Sequence, residues 1–168
     1  MPNYFLENED IQFHFKQMNI EEEVAIREDN YEQSKYFNYA PVNYEDAIDG
    51  YKKILEIVGD IAANFIDERA SSVDNDGAAF ESGKVDYAKG TKENLKRLAA
   101  ADLMGMILPR KYGGLNFPFP IYMMAVEIIS RSDASLMNLF GLQDIADTIK
   151  KFGTEDQRME FLPKFSTG

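Results

Sequence analysis

A chain of 168 residues, with 45% hydrophobic and 12% aromatic side chains, is long enough to close one apolar core and short for two full domains. It contains no Cys and one His, His14, which excludes disulfides, thiolate nucleophiles, Cys-ligated metals and imidazole pairs, so neither a metal site nor a catalytic relay is expected. A formal net charge of −11 sets the chain against nucleic acid, whose phosphates require a basic face. Two local clusters, Arg110 with Lys111 and Lys92 with Lys96 and Arg97, have the charge for an anion, although solvated surface charge is the commoner meaning of such groups. No apolar run approaches the roughly 20 residues needed to cross a bilayer. The opening MPNYFLENEDIQ lacks the basic and then apolar pattern of a secretory signal, so cytoplasm is the expected compartment.

In the first forty residues Ile11, Phe13 and Phe15 alternate like a strand, while Ile11, Phe15 and Met18 fit one helical face, and a helix is the preferred reading. Asn19 then stands as a cap before IEEEVAIRE, whose acidic first turn suits the positive end of a helix dipole. An aromatic, irregular connection follows to Pro41. From Asn43, apolar residues from Ala47 to Ile66 recur at spacings of three and four and predict a long amphipathic helix. SSVDNDGAAFESGKVDYAKG breaks that period and reads as a loop holding a small hairpin, with Ala79–Glu81 and Lys84–Tyr87 joined at Ser82-Gly83. Thr91 is the expected cap of the next helix, which carries Leu95, Leu98 and Ala99 on one face and ends near Gly105. Pro118 or Pro120 fits the first turn of another, with Ile121, Met124, Ala125, Ile128 and Ile129 as its buried stripe. Asp133 caps a helix whose apolar face runs from Leu136 through Leu139, Ile145 and Ile149 to Phe152, closed by Gly153 in a left-handed conformation. Thr154 with Gln157 is a capping box for a short last helix that Pro163 ends. The fold class is all-α: an antiparallel bundle with a hairpin-like loop.

Three stretches are more specific than the pattern around them. Residues 108–115 read LPRKYGGL, residues 127–136 EIISRSDASL, and residues 152–157 FGTEDQ lead to FLPKFSTG at 161–168. Together, in this order, they resemble the N-terminal helical domain of the acyl-CoA dehydrogenase family, with Phe152 where the family often has Tyr. The close resemblance covers about residues 95–168; the earlier part looks like the larger bacterial members that carry an N-terminal extension, so residues 1–42 are assigned to the extension and 43–168 to the helical domain.

What the resemblance implies is a three-part enzyme whose middle β-domain and C-terminal helical domain are absent here, the chain ending at the linker to the β-domain. The whole protein would be an FAD-dependent oxidoreductase of fatty acid metabolism and β-oxidation, taking an acyl-CoA thioester to the trans-2-enoyl-CoA. A carboxylate removes the α proton and the β hydrogen leaves as hydride to flavin. The catalytic base and most flavin contacts belong to the absent parts, so no residue of this chain is assigned a catalytic role, and FAD is not expected bound to it. The domain's contribution is one wall of the acyl pocket, with Leu136, Leu139, Phe140, Gly141 and Gln143 as the substrate-pocket residues. Tyr112, Gly113 and Gly114 form a structural turn near the substrate region. Expected partners are acyl-CoA, an electron-transfer flavoprotein and further copies of the intact protein. Two other readings fit the residues: a stand-alone helical interaction module, and a flavin oxidase or monooxygenase of the same fold.

Overall fold

The computed structural model describes residues 1–168 and is almost entirely helical. Helix α1 (Glu9–Gln17) starts where the Asn8 side chain accepts a hydrogen bond from the Ile11 amide, and it buries Ile11 and Phe15 while Phe13 faces solvent. The helical spacing thus prevails over the alternating one. Helix α2 (Glu21–Arg27) carries its three glutamates in the first turn as read, but Ile20 stands at the cap position and no side-chain cap bond is made there, so Asn19 is not the cap. A 3₁₀ turn at Glu32–Lys35 follows.

Asn43 caps α3 (Tyr44–Ile61), accepting from the Asp46 amide at 2.8 Å. A π turn at Ala62–Ile66 continues directly into α4 (Asp67–Asp76). The helical rod therefore extends further than its apolar stripe, taking in the Ser71–Asp76 stretch read as loop. Strands β1 (Ala79–Glu81) and β2 (Lys84–Asp86) form the expected antiparallel hairpin, with Phe80 opposite Val85. Ser82 and Gly83 both have positive φ, 52° and 79°, the backbone that a two-residue hairpin turn requires.

Helix α5 (Lys89–Ala99) begins two residues before Thr91, with Ala88 at its cap, so Thr91 lies inside the first turn, buried. It ends at Ala99, short of Gly105, and a 3₁₀ turn at Leu103–Gly105 leads on. Helix α6 (Phe119–Ser132) takes Pro118 as its cap residue and Pro120 in its first turn, where a missing N–H costs nothing. Asp133 caps α7 (Ala134–Gly141) by accepting from the Ser135 and Leu136 amides at 2.9 and 3.0 Å. The helix expected to run on to Phe152 is instead two, since Leu142 separates α7 from α8 (Gln143–Phe152).

Two more local expectations are corrected. Gly153 has φ −72° and ψ 157°, an extended rather than left-handed ending to α8. Pro163 does not end the last helix, because α9 (Glu155–Thr167) runs through it. The Thr154–Gln157 capping box opens α9 as read, and Leu162 and Ser166 are buried on the far side of the proline. The Ser166 hydroxyl donates to the Tyr112 carbonyl at 2.8 Å, so tertiary docking holds the turn that the proline weakens.

The main core lies where α3 and the π turn cross α6, with α7 against α6 and α5 closing one side. Phe5, Ile11, Phe15, Ile20 and Val24 belong to this same core, joined to Tyr51, Leu55, Phe117 and Ile121. A smaller apolar cluster of Leu108, Tyr112, Ala146 and Leu162 joins the 108–117 turn to α8 and α9.

Candidate functional site

Around 108–117 the chain reverses on itself. Leu115, Asn116 and Phe117 donate their amides to the carbonyls of Gly105, Leu108 and Met106, at 3.0, 2.8 and 2.8 Å. The two glycines answer different demands. Gly113 has φ +84°, a left-handed conformation that other residues adopt at a cost, and its amide donates to the Arg110 carbonyl at 2.9 Å. Gly114 is needed for closeness: a Cβ there would lie 2.6 Å from the Leu108 carbonyl carbon and nearer still to its oxygen.

Arg110, a candidate for anion binding by sequence, is engaged elsewhere through both of its terminal nitrogens, while its Nε is buried without a partner. Its guanidinium donates to both carboxylate oxygens of Glu28, at 2.6 and 3.1 Å, and to Gln33 at 3.0 Å. The side chains of the pair are 2% and 1% exposed. Asn116 completes the network, its Nδ2 donating to the Arg27 carbonyl at 2.8 Å and to Glu28 at 3.3 Å. An ion pair of this kind is a buried lock between the N-terminal segment and the turn, with no charge left for a ligand. The partners in this network lie 77 to 89 residues apart in the chain, and no local sequence pattern announces them. The other end of the turn is tied to α9, where Lys111 and the Tyr112 hydroxyl donate to Glu155 at 3.3 and 3.1 Å. The Lys111 hydrogen bond, aided by Tyr112 and Arg158, holds the Glu155 carboxyl below the usual carboxylate range.

The five candidate wall residues sit on one short stretch and divide by direction. Leu136 and Phe140 point into the main core and are fully buried, with Phe140 ring-to-ring against Tyr122 at 5.9 Å. Gln143 is buried too and uses both ends of its amide: Oε1 accepts from the Met106 amide at 2.8 Å, while Nε2 donates to Leu103 and Phe140 carbonyls at 3.1 and 3.3 Å. Through Gln143 the α7–α8 junction is fastened to the 3₁₀ turn that leads into the glycine turn, so the two groups of residues singled out by sequence are directly hydrogen-bonded to one segment. Leu139 and Gly141 are half-buried. Leu139 faces a cleft of about 310 Å³ beneath the hairpin, shared with Ser135, Asn138, Tyr87 and Thr91. Gly141 shares its face of α7 with Met137, whose Sδ would lie 3.9 Å from a Cβ at that position.

Met137 in turn opens onto a groove of about 440 Å³ between α1, α6 and α7. A third cavity, of about 290 Å³, lies between α3 and the turn and is reached by Tyr39, Tyr51 and Arg110. Burial pushes the Tyr51 and Tyr122 phenols up, with Glu28 and Asp144 respectively adding to the effect, so both remain protonated at neutral pH and neither serves there as a base. No three His, Asp or Glu side chains stand close enough together to hold a metal ion, and no helix is long and apolar enough to cross a membrane.

Residues 49–168 match the family model described as acyl-CoA dehydrogenase, N-terminal domain. The chain belongs to the acyl-CoA dehydrogenase family. Similar proteins include the mitochondrial short/branched chain specific acyl-CoA dehydrogenase of Bos taurus, 33% identical over 92 residues, which are 54% of this chain and 21% of that protein. The mitochondrial 2-methylacyl-CoA dehydrogenase of Solanum tuberosum is 32% identical over 75 residues, 44% of this chain and 18% of its own length. The 3-methylmercaptopropionyl-CoA dehydrogenase of Ruegeria pomeroyi is 25% identical over 135 residues, covering 77% of this chain and 22% of that protein. The chain thus spans about a fifth of the length of the curated relatives it matches. Within this family match lie the glycine turn, α6, α7 and the capping box; α1, α2 and the Glu28 side of the buried lock lie before it.

Proposed function

We propose that this chain is the helical domain of an FAD-dependent acyl-CoA dehydrogenase, in which α7 and the start of α8 form one wall of the acyl pocket. The family match carries the reading, since it spans the whole stretch on which the candidate wall stands. In this reading Leu136, Phe140 and Gln143 fix the wall from behind, while Leu139 and Gly141 lie on the half-buried faces that a substrate reaches. The wall's chemical work is positioning and water exclusion, consistent with a segment anchored by apolar burial and three hydrogen bonds rather than by solvated groups.

The chain's own residues do not fit a flavin. A broad, open depression of about 620 Å³ is lined mainly by polar groups, Glu22 and Glu23 among them, with Ile26 and Pro109 as its apolar side chains, the wrong surface for an aromatic ring system and an anionic pyrophosphate. FAD, as electron acceptor, and the base that removes the α proton are therefore assigned to parts of the intact enzyme outside these residues, with an electron-transfer flavoprotein as the onward acceptor. No Asp or Glu of this chain is given that role.

The test is anaerobic titration of the natural protein that contains this domain with acyl-CoA thioesters, following flavin bleaching and formation of the trans-2-enoyl product. Phe140→Leu, a milder change than Phe140→Ala at a fully buried site, is expected to shift the ratio of kcat/KM between short and long acyl groups. A flavin-loaded protein that no acyl-CoA reduces would refute the activity. An active enzyme whose acyl preference ignores Phe140, Leu139 and Gly141 substitutions would refute the wall.

A further inference from the structure

We infer that the cavity between α3 and the glycine turn is a binding site for a small neutral aromatic molecule that carries an acceptor oxygen, of the aryl ketone class. No residue of α7 or α8 borders it, so the site and its test do not depend on the acyl-CoA reading. Its volume of about 290 Å³ stands at the lower end for small-ligand pockets and suits a single substituted ring.

Two hydrogen-bond donors at this cavity have nothing to bond. The Tyr51 hydroxyl and the Arg110 Nε are both buried without a partner, and both side chains border the same space. Buried polar groups are nearly always paired, and one left alone destabilises the fold until an acceptor reaches it. The guanidinium has no acceptor atom, and burial keeps the phenol protonated, so both groups can donate. A carbonyl oxygen, with two lone pairs, accepts from either or both. A charged ligand is not called for. The Arg110 charge is already matched by Glu28, and the exposed Lys53 and Asp46 at the rim oppose one another.

The walls and the entrance fit such a ligand. Phe117 meets Tyr51 edge-on with ring centres 4.7 Å apart, and the Tyr39 ring lies 5.6 Å from the Arg110 guanidinium, so aromatic faces and edges are offered to an incoming ring. Gly50 borders the cavity from the interior of α3, where glycine weakens a helix relative to alanine. Neither a positive φ nor a close approach requires it, since a Cβ there would meet nothing within 4 Å. Its effect is to leave that side of the cavity clear of a side chain. Tyr39 is the movable wall: it is 53% exposed, and its hydroxyl reaches the Gly114 carbonyl only at 3.5 Å, the outer limit of a hydrogen bond. Swinging it aside uncovers the Arg110 guanidinium at small cost.

The experiment titrates the natural protein that contains this domain with acetophenone, α-methylstyrene and benzoate, followed by saturation-transfer NMR of the probe. α-Methylstyrene has the shape of acetophenone without the acceptor oxygen, and benzoate adds a negative charge. Acetophenone is expected to bind about tenfold tighter than α-methylstyrene, and tighter than benzoate. Tyr51→Phe deletes one donor and is expected to cut that preference severalfold. Because the hydroxyl has no partner to lose, the same variant should melt no lower than the parent. Gly50→Leu fills the clear side of the cavity and is expected to weaken acetophenone by about tenfold, with no loss of melting temperature. Acetophenone bound no tighter than α-methylstyrene, or a preference that survives in both variants, would overturn the site. Benzoate bound more tightly than acetophenone would overturn the assignment to a neutral ligand. A Tyr51→Phe protein that melts well below the parent would show that the hydroxyl is already bonded, to trapped water, and the site would fall with that result.

Discussion

Arg110→Met is the sharpest test of the fold. It removes both strong hydrogen bonds to Glu28, at 2.6 and 3.1 Å, and leaves that carboxylate 1% exposed with only the Asn116 amide, 3.3 Å away. Taking one member from a buried ion pair costs about 3–5 kcal/mol, mainly through the uncompensated charge that remains. For a domain of this size, roughly 2–4 °C of Tm accompanies each kcal/mol, so the melting temperature is expected to fall by about 6–20 °C. The double variant Glu28→Leu/Arg110→Met removes both charges together. It deprives only the Gln33 side-chain oxygen of its donor, since Asn116 keeps its bond to the Arg27 carbonyl, and is expected to recover to within about 1–2 kcal/mol of the parent chain. Urea unfolding of the parent, both single variants and the double variant completes the cycle. A single-variant loss below about 1 kcal/mol, or a double variant whose loss equals the sum of the singles, would show that the pair is not a desolvated lock.

The glycine turn and its tie to α9 give two further expectations. Gly113→Val should lose about 1–3 kcal/mol through its positive φ, and Gly114→Ala should also destabilise because its new methyl group meets the Leu108 carbonyl; thermal melts that match the parent for either glycine would refute the corresponding reason. The Glu155 carboxyl is held low by Lys111, so its contribution is present above the usual carboxylate range and is lost as pH falls through its lowered folded-state value. Melting curves of parent and Glu155→Gln chains should therefore converge in acid, and a gap that stays constant with pH would contradict the tie.

Caps were legible where the cap bond is local and the chain enters the helix freely. Asn43, Asp133 and Thr154 each bond an amide two or three residues on, a geometry contained in a few residues of sequence. Thr91 has the same chemistry but sits buried in a helix that Lys89 has already begun, because packing against α4 sets where α5 starts. Periodicity located the faces of α3 and α6 but misled at the end of α8, where Phe152 is 83% exposed although it continues the apolar stripe. A stripe shows which residues favour burial; whether a neighbour covers them depends on the rest of the fold. At the candidate site, Leu136 and Phe140 were recognisable as apolar helix positions, yet their inward direction is set by α6. The partners of Arg110 were beyond any local rule, since the contact joins residues 82 apart in the chain.

That separation orders the protein's birth. Glu28 leaves the ribosome 82 residues before Arg110, an interval of about 4–16 s at ordinary synthesis rates. Throughout that time the carboxylate must stay hydrated, and the core that Phe5, Ile11 and Phe15 share with Tyr51 and Leu55 still lacks Phe117 and Ile121. Closing so long a loop carries an entropic cost on the order of 4 kcal/mol, which later contacts have to offset. A nascent chain that stalls before Arg110 can already dock its N-terminal segment on α3, through the Asn3 bond to the Glu56 carbonyl and the Tyr4 bond to that of Gly59, but it holds a Glu28 carboxylate with no guanidinium to close upon.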